Sequence, residues 1–201
     1  MQQQPVERFD PTSGRVTAVL VLVLAGVVVV AGTVDAGSVP LPVLAGAVLA
    51  AVLAWASMLR PALWATTEHL VMRNMLETVH VPLAAIEQLA VRQVLALKAG
   101  EKRYVSTVVG RPLRKAMRTG RSGRSGSAPV EDAAPAPGLP YADFVEQRLH
   151  QLMEEARTAA GVESLSDEQL ALAADVRREP AWVPIGLTVL SAVAFVASLF
   201  V

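Results

Sequence analysis

Three stretches without a charged side chain divide this 201-residue chain: Val16 to Val34, Ala36 to Leu59, and Ala181 to Val201. Each is close to the roughly 20 residues with which an α-helix crosses a hydrocarbon layer about 30 Å thick, so the sequence reads as an integral membrane protein. A tight hinge at Asp35 joins the first two stretches, whereas Arg60 to Pro180 separates the second from the third. That polar insert is large enough for one small domain with a linker and helices, and too small for two independent cores. The expected order is a tail at 1–15, a helical hairpin at 16–59, a β-module with a basic segment at 60–119, a linker at 120–140, helices at 141–179 and a last span at 180–201.

All 18 Lys and Arg residues lie outside the spans, and none falls in the Asp35 connection or after Arg178. The positive-inside rule then predicts a multi-pass cell-membrane protein with its N-terminus and insert cytoplasmic and its C-terminus extracytoplasmic. Trp55, Trp64 and Trp182 sit near the inferred cytoplasmic ends of the second and third spans, at the headgroup level that indole prefers. A rival reading makes the first span a secretory signal, but its apolar run exceeds the usual ~7–15 residues. The chain contains no cysteine, which excludes thiolate metal sites and a cysteine nucleophile.

None of the spans carries Asp, Glu, Lys, Arg or His, the groups that proton relays and many transport sites require, which argues against a transporter or channel. Gly46, Ala50 and Ala54 recur every four residues along the second span. This spacing suits a close helix-packing face toward the first helix, and it equally suits an Ala-rich anchor with no such role.

The insert begins with period-two segments rich in Val, Leu, Thr and Trp, the pattern of half-buried strands. Strands are expected at Leu63–Thr66, His69–Met75 and Thr78–Val81, then a helical turn within Leu83–Gln88. A further strand is expected at Leu89–Lys98, turning at Ala99-Gly100 into Arg103–Val109. Residues 120–140 are rich in Gly, Ser, Ala and Pro and read as a linker rather than a phosphate loop. Tyr141, Phe144, Val145, Leu149, Leu152, Met153 and Ala156 then repeat at helical spacing, a stripe suited to covering the open face of a small sheet. A weaker helix is expected from Ser166, with Gln169 completing a capping box, to about Arg178.

The net charge of zero hides a polarised insert: Lys98 to Arg124 holds nine basic residues against Glu101 alone, and Ser125 to Glu179 holds eleven acidic against four basic. The basic cluster is Arg111, Arg114, Lys115, Arg118, Arg121 and Arg124. Near anionic headgroups each cation contributes roughly 1 kcal/mol, so the cluster is a candidate lipid-binding surface, while topology alone rewards the same residues. It lacks the aromatic platform of a nucleic-acid site, so no nucleic-acid partner is expected. His69, His80 and His150 share no metal-ligand spacing, and no nucleophile or acid-base signature appears; the chain reads as non-enzymatic, without metal or cofactor.

The order of elements resembles that of actinobacterial membrane-anchored proteins with a bacterial pleckstrin-homology-like domain. The residues that carry the resemblance are His69-Leu70-Val71-Met72-Arg73-Asn74, then Met75-Leu76-Glu77-Thr78-Val79-His80-Val81-Pro82-Leu83 with Ile86, Gly100-Glu101-Lys102-Arg103-Tyr104-Val105-Ser106, and Tyr141-Ala142-Asp143-Phe144-Val145-Glu146. Family arginines stand here as Glu77, Val79 and His80, and the family tryptophan as Leu83, which argues against an arginine-lined site on that turn. The resemblance implies an α+β membrane protein: three transmembrane helices with a cytoplasmic PH-like antiparallel β-module closed by an amphipathic helix. Only about five of the seven strands of a full pleckstrin-homology barrel are visible before the linker. The function implied is binding or scaffolding, with a protein partner or anionic lipid headgroups as ligand; the alternative is a structural accessory subunit of a larger membrane complex.

Overall fold

The computed structural model describes residues 7–11, 14–34, 39–110 and 141–200. Its elements are β1 (Glu7–Phe9), α1 (Arg15–Val34), α2 (Leu41–Ala54) running into a π-helical turn (Trp55–Leu59), β2 (Ala62–Ala65), β3 (His69–Arg73) and β4 (Glu77–Pro82). A 3-10 turn (Leu83–Ala85), β5 (Gln88–Val91), β6 (Leu95–Ala99) and β7 (Lys102–Ser106) follow. The chain then forms α3 (Tyr141–Ala160), α4 (Asp167–Leu172), a 3-10 turn (Ala173–Asp175), β8 (Arg177–Pro180) and α5 (Trp182–Ser198). The protein is thus α+β, with one sheet ordered β1-β2-β3-β4-β8 and a second ordered β5-β6-β7. Packing divides the chain into two units: one built from Met1–Ser13, Leu63–Met72 and His80–Arg177, the other from Gly14–Ala62, Arg73–Val79 and Arg178–Val201.

In the first unit the core is apolar and dense: Leu63, Leu70, Met72, Leu83, Ile86, Leu95, Leu97 and Leu149 are all at most 2 % exposed. Helix α3 lies against the Leu83–Ala85 turn and β5. It buries Ala142, Val145, Leu149, Leu152 and Met153, a stripe at helical spacing, while Tyr141 of the expected stripe is exposed and Phe144 half-buried. Strand β1, in the segment expected to be a tail, pairs antiparallel with β2 through Glu7↔Ala65, Arg8↔Trp64 and Phe9↔Leu63. The connection between these two paired strands is therefore the whole helical hairpin.

The expected single strand at Leu89–Lys98 is two strands. Gln88↔Lys98 and Val91↔Leu95 pair across a loop at Arg92-Gln93-Val94. Gly110 stacks on this loop so closely that a Cβ there would collide with the Gln93 carbonyl oxygen. The expected hairpin at Ala99-Gly100 is present, closing Ala99↔Lys102 with Gly100 at φ +60°, a conformation glycine adopts at little cost. Among the described residues seven strands precede residue 110, where five were legible. The helix expected from Ser166 to Arg178 ends at Leu172, and Arg177–Pro180 is a strand instead.

In the second unit, α1 packs on α2 and α2 on α5. Two helices, Arg15–Val34 and Leu41–Leu59, are long and apolar enough to cross a membrane, and only 11 % of each apolar window is buried, unlike the core helix of a soluble domain. The third, Trp182–Ser198, is apolar but 17 residues long.

Candidate functional site

The π turn closes on an Arg60 N–H to Trp55 carbonyl bond of 2.9 Å, and such one-residue widenings of an α-helix recur at functional positions. It delivers Arg60 to the β3–β4 turn. The Arg60 guanidinium donates through one nitrogen to the carbonyls of Asn74 and of Met75, the latter at 2.9 Å. Arg73 donates from Nε to the Arg60 carbonyl at 2.9 Å, and the turn itself closes by Asn74 N–H to the Glu77 carbonyl at 2.8 Å. Burial, and then the neighbouring Arg73 charge, hold the Arg60 guanidinium below its ordinary pKa. Both guanidinium groups thus donate to backbone carbonyls at the foot of the turn.

Arg178 arrives from β8, its side chain 51 % exposed and 3.7 Å from Glu77. The Ala181 N–H, just before α5, donates to the Leu76 carbonyl at 2.8 Å. Around the turn opens a cavity of about 560 Å³ lined by Asn74, Met75, Leu76, Glu77, Arg178 and Pro180. Its wall is mainly apolar, with the Arg178–Glu77 pair on its lining, and Leu76 at the tip is 46 % exposed.

The sequence argued against an arginine site on this turn because the turn's own positions hold Glu77, Val79 and His80. The arginines come instead from the end of α2, the last residue of β3, and β8. Arg60 is flagged in the sequence only as the charge that ends a span, and nothing local marks Arg178 as a neighbour of Glu77. The basic cluster Arg111, Arg114, Lys115, Arg118, Arg121 and Arg124 lies outside the described residues. Of the proposed packing residues, Gly46 faces the Phe195 ring of α5, where a Cβ would lie 3.3 Å from Cε2. Ala54 is buried and Ala50 exposed, so the three do not form one covered stripe. The close approach to α1 is made at Gly32, against Leu44.

In the first unit the side chain of Gln169 is buried and bonded at both ends of its amide: Nε2 donates to the carbonyls of Ala84 (2.9 Å) and Ile86 (3.2 Å), and Oε1 accepts from Leu165 N–H (2.6 Å). Ser166 Oγ caps α4 by accepting from Gln169 N–H at 3.2 Å. Only half of the expected capping box forms, because the glutamine amide is turned into the core. His69 and His80 stand on β3 and β4, and His150 Nδ1 lies 2.8 Å from the Glu146 carbonyl oxygen of its own helix. Neither a protein-family model, nor a curated protein, nor a solved structure matches the chain.

Proposed function

We propose that this chain is a membrane-anchored, non-enzymatic docking or scaffolding protein whose three apolar helices hold a PH-like β-module at the cytoplasmic face of the cell membrane. The observation that carries the reading is the insertion of a largely uncovered apolar hairpin between two strands, β1 and β2, that pair in one sheet. A module whose first connection is such a hairpin is tethered by its own topology, and tethering raises the local concentration of anything else on that surface. The PH-like assignment draws support from the seven strands before residue 110, shared between two sheets, and from the helix α3 that covers β5. The ligand of the module is a protein partner or an anionic lipid.

The absence of cysteine makes the sidedness directly testable. Lys102, exposed on β7, and Ala36, in the connection between the first two spans, are each replaced by cysteine in the full chain. An impermeant maleimide should label the Ala36→Cys variant in intact cells and the Lys102→Cys variant only after lysis. Labelling of Lys102→Cys from outside refutes the reading. The accessory-subunit alternative is separated by enlarging Gly46, Ala50 and Ala54: loss of co-purifying subunits with unchanged lipid binding would favour it.

A further inference from the structure

We infer that the tip of the β3–β4 turn, Met75-Leu76, is a wedge seated among the glycerol and upper acyl groups of the leaflet at which α2 ends and α5 begins. This rests on the membrane-anchored reading and goes beyond it by adding a lipid contact outside the helices. The turn, the end of α2 and the start of α5 all belong to the second unit. Hydrogen bonds set the depth of the tip. On one side the turn is held by Arg60, the residue after the Trp55–Leu59 π turn, and on the other by Ala181, the residue before α5. Where those helices leave the hydrocarbon, Met75 and Leu76 therefore lie at the same level. Trp182, next in sequence to Ala181, is 74 % exposed and of the residue type that marks membrane interfaces.

The chemistry of the tip separates lipid from water as its surroundings. The connection between β3 and β4 is Asn74-Met75-Leu76. Turns in water favour Gly, Pro, Asn, Asp and Ser, so two apolar residues at this place suit a different medium. A single exposed leucine is ordinary on a soluble surface; the backbone around this one is not. All three carbonyls of the connection accept from protein donors, those of Asn74 and Met75 from the Arg60 guanidinium and that of Leu76 from the Ala181 N–H at 2.8 Å. The Asn74 N–H is taken as well, by the Glu77 carbonyl at 2.8 Å. At a soluble surface water would serve these groups, whereas backbone entering a water-poor layer must be satisfied from within the protein. Leu76 is 46 % exposed, so its side chain has apolar area left to bury in lipid. Arg178 and Glu77, 3.7 Å apart on the lining of the adjoining cavity, balance each other in charge, so the contact is apolar and independent of the lipid headgroup.

The test uses the full chain, which lacks cysteine, reconstituted in phosphatidylcholine vesicles with a bimane label on one of three variants, Leu76→Cys, Val189→Cys or Lys102→Cys. Val189 is exposed within α5 and Lys102 is exposed on β7. Nitroxides carried on the headgroup or high on the acyl chain should quench the label at position 76 and leave the label at position 102 bright. Iodide, present on both sides of the vesicle, should do the reverse. The same pattern should hold in phosphatidylglycerol vesicles. Nitroxide quenching of the Leu76→Cys label no greater than that of the Lys102→Cys label overturns the inference. Quenching in phosphatidylglycerol alone also overturns it, since the contact would then be electrostatic. A label at position 76 shielded from nitroxide and iodide alike, and opened to iodide on dilution with lipid, overturns it in favour of a second copy of the chain as occupant. The Val189→Cys label keeps the failures apart. If a nitroxide near the end of the acyl chain leaves it bright, the anchored reading and this contact fall together; if it is quenched while position 76 answers only to iodide, this contact alone falls.

Discussion

Replacing Gln169 by alanine removes one side chain and strands two buried carbonyls. Gln169 is 1 % exposed, and its amide serves the carbonyls of Ala84 and Ile86 as well as the N–H of Leu165, a residue exposed enough for water to replace that bond. Each buried group left without a partner costs about 1–3 kcal/mol. Taking the lower bound for each carbonyl, because a carbonyl has a second lone pair, the loss is about 2 kcal/mol. At about 1.4 kcal/mol per factor of ten, local opening should become roughly 30-fold more frequent. Hydrogen exchange on the full chain in detergent reads this directly at the amides of Leu83, Ile86 and Glu87, which are bonded to Glu68, Leu83 and Lys98 in the native fold. Protection within threefold of wild type would refute the argument. Gln169→Glu separates donation from size, since an ionised carboxylate still accepts from Leu165 but presents no proton to the two carbonyls. Its folded pKa is raised above the unfolded value by burial beside carbonyl oxygens. Its stability contribution is therefore present below the unfolded pKa and is lost as pH rises through the folded one. A variant whose stability is flat across that range contradicts the assignment.

Gly110→Ala should destabilise by about 1–3 kcal/mol or more, because its Cβ meets the Gln93 backbone rather than a movable side chain; thermal unfolding of the purified chain measures it. Tyr141 provides an alkaline signature. Burial raises its pKa despite the Asp10 N–H bond that favours the phenolate, so above pH ~10 the unfolded chain loses this proton first and stability falls as pH rises. Tyr141→Phe should flatten that part of the melting-temperature profile, and an unchanged slope would show that the phenol is not responsible.

What could be read in the sequence follows from parity. In the β6–β7 hairpin a two-residue turn pairs Leu97 with Tyr104 and Leu95 with Ser106, so the buried positions change from odd to even numbers and the turn announces itself. In the β5–β6 hairpin the three-residue loop centred on Gln93 pairs Leu89 with Leu97 and Val91 with Leu95. Odd residues stay inside on both strands, the alternation never breaks, and the two strands read as one. The apolar helices were legible because length and lack of charge suffice to mark them. Strand β1 was not, since three residues with one buried side chain, Phe9, carry no measurable period. The surroundings of the β3–β4 turn were hidden for another reason: Arg60 and Arg178 are distant from it in sequence, and only folding brings them to Met75 and Glu77.

The hidden strand also decides how the β-module can be isolated. A fragment cut where the composition changes, residues 60–180, lacks β1 and with it three cross-strand pairs, the buried ring of Phe9 at 3 % exposure, the Glu7–Arg148 bridge at 2.8 Å and the Asp10 N–H bond to the Tyr141 oxygen at 2.7 Å. Burying the phenylalanine alone is worth about 1.5–3 kcal/mol, a large share of the roughly 5–15 kcal/mol that holds a domain together. The cut further exposes the β2 backbone as an open edge, a template for aggregation. Because Phe9 and Leu63 stand opposite each other, a short glycine-containing turn can replace residues 11–61 and return β1 to its place. The fused chain should melt higher and stay monomeric at concentrations where 60–180 aggregates, and Phe9→Ala within it should erase much of the gain. If the two fragments unfold at the same temperature, β1 contributes nothing and the hairpin is an appendage to the sheet rather than its first connection.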